Sequence, residues 1–331
     1  GEDTPRNANP LDFIGWNAAC SNRAVPRNLI RKEAESVMLH NKTILVAGGD
    51  LRQAHLSKLF SSANRVYTLG LEKAEGAGGT PTTLSELWQT GLKVDYIILP
   101  MPVLSDETLV NTPFSGKKLA IDALLDCANP DTIVLGGRLP PALIQKLEER
   151  GLAYSDYLDR EELAVLNAVP TAEGAIQIAM EELPTTIFGM KILLIGYGRI
   201  SKVLARLLKA LGAEVTVSAR KFSDLAWIQA NGFRSAHTAD LAEAITGTQL
   251  IINTVPAVVL NEELLSRVEP GCLLIDLASK PGGIDFTTAN RMGLKAVWAL
   301  SLPGKVAPIT AGKIIFDTIQ NIEAERRQAH E

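Results

Sequence analysis

The sequence predicts an α/β protein: two Rossmann-like, doubly wound parallel-sheet domains flanking a cleft and joined by connecting helices. Two observations carry this reading. Short uninterrupted apolar runs alternate with helical stretches, the pattern of strands buried on both faces of a parallel sheet. The layout strand, glycine turn, helix, strand also occurs twice, over residues 44–70 and again over 192–220. At 331 residues the chain has room for roughly two domains of about 150 each.

The first strand is Ile44-Leu45-Val46-Ala47, followed by Gly48-Gly49 and a helix from Leu51 to about residue 61. Strands follow at 65–69, 96–99 and 132–135, and Pro140-Pro141 opens a helix at 142–150. In the second half, strands fall at 191–195, 214–219, 250–253, 273–276 and 296–299, with a helix at 199–211. Between the halves, residues 167–174 read as a loop before an apolar helix at 175–183. Pro170 and Pro184 bracket that helix, since proline lacks a donor and restricts its predecessor. The last helix, about 311–326, is expected to cross back to the first half. The domain reading is therefore 38–170, a substrate and partner domain; 171–187, a connecting helix; 188–304, a nucleotide-binding domain; and 305–331, the returning helix.

Charge and composition narrow the classes. There are 33 Lys and Arg against 37 Asp and Glu, a net charge of −4, which argues against nucleic acid as the main partner. It leaves room for a local cationic pocket. No uncharged apolar run approaches the ~18 residues of a membrane helix. Cys20, Cys127 and Cys272 are too far apart for a disulfide framework, and the four histidines are scattered, so no metal site is expected. Residues 1–37 carry five basic and five acidic side chains and no apolar core, unlike a signal or transit peptide. They read as a non-native or disordered extension, with Met38 as the natural start.

Gly196-Tyr197-Gly198-Arg199-Ile200-Ser201 follows a strand and opens a helix, the setting of a dinucleotide fingerprint. The first glycine permits the tight turn and the second lets the backbone approach a pyrophosphate on the helix N-terminus. Ser201 replaces the usual third Gly or Ala. The next strand ends Ser218-Ala219-Arg220-Lys221, with no acid to hold a ribose 2′-OH and three groups suited to a 2′-phosphate. NADP is the expected cofactor, with NAD possible. Thr254, Val255, Pro256, Ala278 and Ser279, at the following strand ends, complete the expected cofactor site.

Ligands of such sheets lie beyond the C-terminal strand ends. Arg52, Arg138, Arg199, Lys280 and Lys305 fall there, a cationic set on an acidic protein, which points to a small carboxylate substrate. Asp50 could equally be a helix N-cap, and Asp276 could merely hold its loop.

The runs Val46-Ala47-Gly48-Gly49-Asp50-Leu51-Arg52-Gln53, Pro170-Thr171-Ala172-Glu173-Gly174, Gly196-Tyr197-Gly198-Arg199, Asp276-Leu277-Ala278-Ser279-Lys280-Pro281-Gly282-Gly283 and Leu302-Pro303-Gly304-Lys305-Val306-Ala307-Pro308 resemble the family of the dipicolinate synthase A subunit over about residues 40–325. The glycine motif and the Pro-Gly segment also occur in alanine dehydrogenase and transhydrogenase relatives. The resemblance implies a cytoplasmic enzyme of the sporulating mother cell. It would oxidise dihydrodipicolinate, or a hydroxylated tetrahydro precursor that loses water, to dipicolinic acid. It also implies a partner, the dipicolinate synthase B subunit, and a homo-oligomer is expected. A dicarboxylate suits the cationic cleft. Arg52 with Lys280 or Lys305 would clamp the carboxylates, and Asp50, Glu173 or Asp276 would accept the proton.

Two other readings compete. One is an NADP-dependent 2-hydroxy- or 2-amino-acid dehydrogenase, which would call for a positioned His or Lys. The sequence places His55 on the first helix and His237 in a mid-domain loop. The other is a non-catalytic NADP-binding scaffold or sensor, against which the full set of cleft loops argues.

Overall fold

The computed structural model describes residues 39–329. The expectations for residues 1–37 and Met38 lie outside the described residues.

The first sheet contains β1 (Thr43–Ala47), β2 (Arg65–Leu69), β3 (Thr80–Pro81), β4 (Tyr96–Ile98), β5 (Ile133–Gly136) and β6 (Ala153–Asp156). All pairings are parallel, in the order β3-β2-β1-β4-β5-β6. Helices α1 (Leu51–Phe60), α2 (Leu84–Thr90), α3 (Ile121–Leu125) and α4 (Pro141–Glu149) connect the strands. A long helix, α5 (Glu161–Glu182), leads to the second sheet. That sheet contains β7 (Lys191–Ile195), β8 (Glu214–Ala219), β9 (Arg234–His237), β10 (Leu250–Asn253), β11 (Leu273–Asp276) and β12 (Lys295–Trp298). Its order, β9-β8-β7-β10-β11-β12, repeats that of the first sheet strand for strand. The internal repeat seen over residues 44–70 and 192–220 thus extends to all six strands. Each sheet has its topological switch point beside its first strand, where open α/β sheets take ligands.

Alternate side chains of each strand enter different cores. Leu45, Ile97 and Val134 face one side of the first sheet, and Ile44, Val46, Ile98 and Leu135 the other. Ile192, Leu194, Ile252 and Ile275 oppose Leu193, Ile195, Ile251 and Leu274 in the second. Burial on both faces explains why these strands read as unbroken apolar runs. The edge strands β3, β6 and β9 are short and polar, and the apolar pattern does not reveal them.

Helices α6 (Arg199–Ala210), α7 (Phe222–Ala230), α8 (Leu241–Ile245), α9 (Glu262–Leu265) and α10 (Phe286–Arg291) cover the second sheet. They are followed by α11 (Leu302–Val306) and α12 (Pro308–Gln328). The segment expected as a loop before residue 175 is helical. α5 begins at Glu161 and runs through Pro170, which is buried within it. Leu163, near its start, is buried in the first sheet's core, whereas Ala172, Ala175 and Ala179 are buried in the second's. Packing along this length outweighs the lost proline donor. α12 returns to the first half, where Ile315 and Ile319 share a core with Leu56 and Phe60 of α1. Gly312 lets the two helices approach, since a Cβ there would lie 2.6 Å from the Arg52 carbonyl oxygen.

Candidate functional site

The glycine loop joins β7 to α6. Gly196 has φ +96°, and a Cβ there would sit 2.7 Å from Thr254 Oγ1, so the turn admits only glycine. Gly198 is the N-cap of α6 and supplies no side-chain cap, and the first turn holds no acid. A Cβ on Gly198 would meet nothing within 4 Å. Uncapped N–H groups beside open space fit a dinucleotide pyrophosphate. Ser201, the departure from the fingerprint, is fully buried, with Oγ 3.0 Å from Thr254 Oγ1. The Thr254 hydroxyl donates to the Ile195 carbonyl at 2.9 Å, so Ser201 is the donor in that pair and ties α6 to the end of β10.

Around this loop the expected residues separate. Ile200 packs on the core, and the Tyr197 ring carries the Lys202 ammonium 5.2 Å from its centroid. Arg199 pairs with Glu161 at 3.3 Å on the surface. Thr254 and Val255 lie against Gly196, and Pro256 is exposed.

At the end of β8, Arg220 and Lys221 are exposed and no acid accompanies them. Ser218 is wholly buried, and its Oγ has no hydrogen-bond partner, so it does not present a hydroxyl with them. His237 ends β9 instead of lying in a loop. Its Nδ1 accepts from Ala239 N, which leaves Nε2 to donate to the Arg220 carbonyl at 3.0 Å. Phe222 stacks on the His237 ring at 5.7 Å. The sequence does not foretell Phe222 or His237 here, because pairing between β8 and β9 brings them together.

Asp276 is completely buried. Oδ1 accepts from Asn253 Nδ2 at 2.8 Å and Ala278 N at 3.0 Å, and Oδ2 from Gly283 N at 2.7 Å and Ile284 N at 3.2 Å. All its acceptor capacity is spent on the loop, so its geometry is that of a loop organiser, not a proton acceptor. A Cβ on Gly283 would collide with the Asn253 amide, which explains the paired glycines of the motif. Ala278 is buried, with its carbonyl held by Trp298 Nε1 at 2.9 Å, while Ser279 and Lys280 are exposed at the tip.

In the first half, Asp50 caps α1 and also binds the Arg52 guanidinium at 2.8 to 3.1 Å. Arg52 Nη2 further donates to Met101 O at 2.9 Å. Gln53 Nε2 and the Tyr157 hydroxyl both donate to Leu99 O at 2.9 Å. The Gly-Gly-Asp-x-Arg-Gln run therefore braces the ends of β1 and β4. Gly304 backs onto the same place, since a Cβ there would lie 2.9 Å from Arg52 Nε and 3.0 Å from Asp50 Oδ2. Helix α11, after β12, thus meets the start of α1, after β1, and the next residue, Lys305, is exposed beside them. Arg138 is exposed with φ +63°, its segment held by Asp156, which accepts from the N–H groups of Arg138 and Leu139 at 3.0 and 2.6 Å. Glu173 lies elsewhere, on an outer groove between α5 and α6.

Two linked parallel sheets with a glycine loop at an uncapped helix N-terminus define a dinucleotide-binding protein, and its kinship with a dehydrogenase NAD-binding domain makes it a nicotinamide-dependent oxidoreductase. Residues 169–280 match the D-isomer specific 2-hydroxyacid dehydrogenase NAD-binding domain, and residues 43–158 the N-terminal domain of the dipicolinate synthase A subunit. The chain is 34% identical over 292 residues to the dipicolinate synthase A subunit of Bacillus subtilis (strain 168), covering 87% of this chain and 98% of that protein. The crystal structure of the B. subtilis protein matches with a TM-score of 0.79 at 33% identity, covering 89% of this chain and all of that one. The crystal structure of its Bacillus halodurans counterpart matches at 0.74 and 31%, covering 87% and 99%. The chain belongs to the family of the dipicolinate synthase A subunit.

Proposed function

We propose that the chain is an NADP-dependent dehydrogenase that oxidises dihydrodipicolinate, or hydroxytetrahydrodipicolinate with loss of water, to dipicolinic acid. Kinship over nearly the whole chain with proteins named for dipicolinate synthase carries the reading. NADP over NAD is supported by Arg220 and Lys221, exposed where an NAD enzyme would place an acid. When bound, the nicotinamide accepts the two electrons and one hydrogen removed from the substrate.

The chain's own groups divide the remaining work. Lys280, in the turn after β11, and Lys305, in α11 after β12, are exposed, and neither has an ion-pair partner among the described residues. They supply charge for the substrate carboxylates. Arg52 is held by Asp50 and Met101, so it reaches substrate only through donors those partners leave. Of the three candidate carboxylates, Asp50 alone is both beside these loops and partly open to water, at 32% side-chain exposure. It is our choice for the proton acceptor, directly or through solvent. Aromatisation supplies driving force, so a finely tuned base is not required.

The relatives are named as one subunit of a synthase, which supports a partner, the B subunit, and we place the pair in the mother-cell cytoplasm during sporulation. The 2-hydroxyacid dehydrogenase reading draws on the match over residues 169–280. Against it, His55 lies on α1 and His237 is committed to the Arg220 segment.

The test mixes the chain with NADP+ and freshly generated hydroxytetrahydrodipicolinate, with and without the B subunit, and follows NADPH and dipicolinate absorbance. Dipicolinate formed in either mixture is the expected result. Bound NADP+ with no product in both mixtures overturns the reading in favour of a hydroxy-acid dehydrogenase or a sensor.

A further inference from the structure

The half-buried ring of His237 ties together the end of β8, the end of β9 and the start of α7. β8 and β9 pair as far as Ala219 and His237, so the Arg220 carbonyl lies beyond the ladder. His237 Nε2 reaches past that last pair and donates to it at 3.0 Å, while Nδ1 accepts from Ala239 N at 3.1 Å. Phe222, 81% exposed, stacks on the ring with an interplanar angle of 24°. α7 begins at Phe222 with Lys221 as its N-cap and no side-chain cap bond. The imidazole therefore holds Arg220 by its carbonyl and Phe222 by its ring. The internal repeat shows that such a sheet does not need this anchor. In the first sheet β3 stands in the place of β9, and its last pairing sets Pro81 against Thr68. Proline has no side-chain donor or acceptor to offer. The glycine turn of that half is also closed, since Gly49 N donates to Asn111 O at 2.7 Å. The half with the open glycine loop is the half that carries the histidine.

We propose, resting on the NADP reading, that His237 is a positioning residue for recognition of the nucleotide 2′-phosphate and acts through Arg220. Arginine is a long side chain with many rotamers, and its planar fork meets a phosphate well only from a suitable origin. Arg220 is exposed, so no packing fixes its course. The bond from His237 to its carbonyl fixes the origin before the ligand arrives, which lowers the freedom lost on binding. NAD has no 2′-phosphate, so the same anchor adds nothing to its affinity. His237 thus contributes to the choice between the two nucleotides without touching either.

Calorimetric titration of the full chain with NADP+ and with NAD+ tests this, beside the thermal midpoint of each variant. Two substitutions separate the two bonds of the ring. His237→Asn keeps an acceptor for the Ala239 N–H two residues on, as asparagine does in turns, and is too short for the Arg220 carbonyl. His237→Gln places an amide donor where Nε2 stands. The wild-type chain is expected to bind NADP+ about tenfold or more tightly than NAD+. His237→Asn is expected to lose about fivefold or more in NADP+ affinity with NAD+ changed less than about twofold, and His237→Gln to stay within about twofold of wild type for both. A wild-type chain with no preference for NADP+ overturns the cofactor reading and the role of His237 with it. A wild-type preference that survives His237→Asn overturns the role of His237 alone. Equal losses for both nucleotides in His237→Asn make the histidine a structural residue and overturn it too. Selective loss of NADP+ in both variants gives the effect to the ring beneath Phe222 and overturns the Arg220 bond as its cause.

Discussion

Asp50 and Arg52 neutralise each other two residues apart. Asp50 accepts the Arg52 backbone N–H at 3.0 Å as a helix cap and the same residue's guanidinium as an ion pair, with the arginine side chain only 9% exposed. Asp50→Ala removes both and leaves a nearly buried cation, an expected loss of about 2–3 kcal/mol by urea denaturation. Asp50→Asn keeps the cap and is expected to cost about 1–2 kcal/mol. Equal losses would show that the cap contributes nothing beyond the pair.

Asp276→Asn places an amide donor where three backbone N–H groups and the Asn253 amide converge. The expected loss is about 2–4 kcal/mol, measured by the same denaturation. Activity in the residual folded protein is expected to persist, because the carboxylate's acceptor positions are taken by Asn253, Ala278, Gly283 and Ile284. A stable but inactive Asp276→Asn would return this residue to the chemistry.

Gly198→Ala separates folding from ligand binding. The residue has φ −85°, which alanine adopts, and open space where the methyl would go. The thermal midpoint is expected to stay within about 2 °C, since an unstrained exposed substitution changes stability little. Dinucleotide affinity by calorimetry is expected to fall at least about tenfold, because the methyl occupies the pyrophosphate's line of approach.

Arg220→Ala tests cofactor choice. Losing a charge-assisted contact with a 2′-phosphate is expected to lower kcat/KM for NADP about tenfold or more, with NAD changed less than about twofold. An unmoved NADP/NAD ratio removes Arg220 from recognition.

Two buried phenols set an alkaline limit. Burial raises Tyr157, and burial followed by the hydrogen bond to Glu323 raises Tyr96, both well above the ordinary value of 10.0. Below that value both groups are neutral whether folded or unfolded. Above it the unfolded chain ionises first, so stability present below pH 10 is lost as pH rises towards the folded-state values. Tyr157→Phe leaves Leu99 O bonded by Gln53, so it is expected to cost about 1 kcal/mol at about pH 8 and to flatten the alkaline fall in thermal midpoint. An unchanged alkaline slope would locate the titration elsewhere.

The central strands are legible because burial on both faces leaves a continuous apolar signature. Five of them, β2, β7, β8, β10 and β11, have the bounds that Arg65, Lys191, Glu214, Leu250 and Leu273 announce. The start of α5 is hidden because Pro170 is a local breaker, whereas Leu163 and Ala179 anchor the helix in different cores. At the site, the glycine loop can be read from local spacing. The commitments of Asp276 and Arg52 cannot, since their partners Gly283 and Met101 come from later turns of chain. Neighbours in sequence point Glu173 towards the cleft, and helix phase turns it outwards.

The polypeptide passes between its two sheets twice, once along α5 and once through α11 into α12. The half that holds the first sheet is therefore finished by residues that come after the second. Excising residues 39–158 would strip Ile315 and Ile319 from above Leu56 and Phe60 and bare that wall to water. Neither half is a cassette: the first cannot be transplanted without the chain's end, and shortening the C-terminus damages the half farthest from it in sequence.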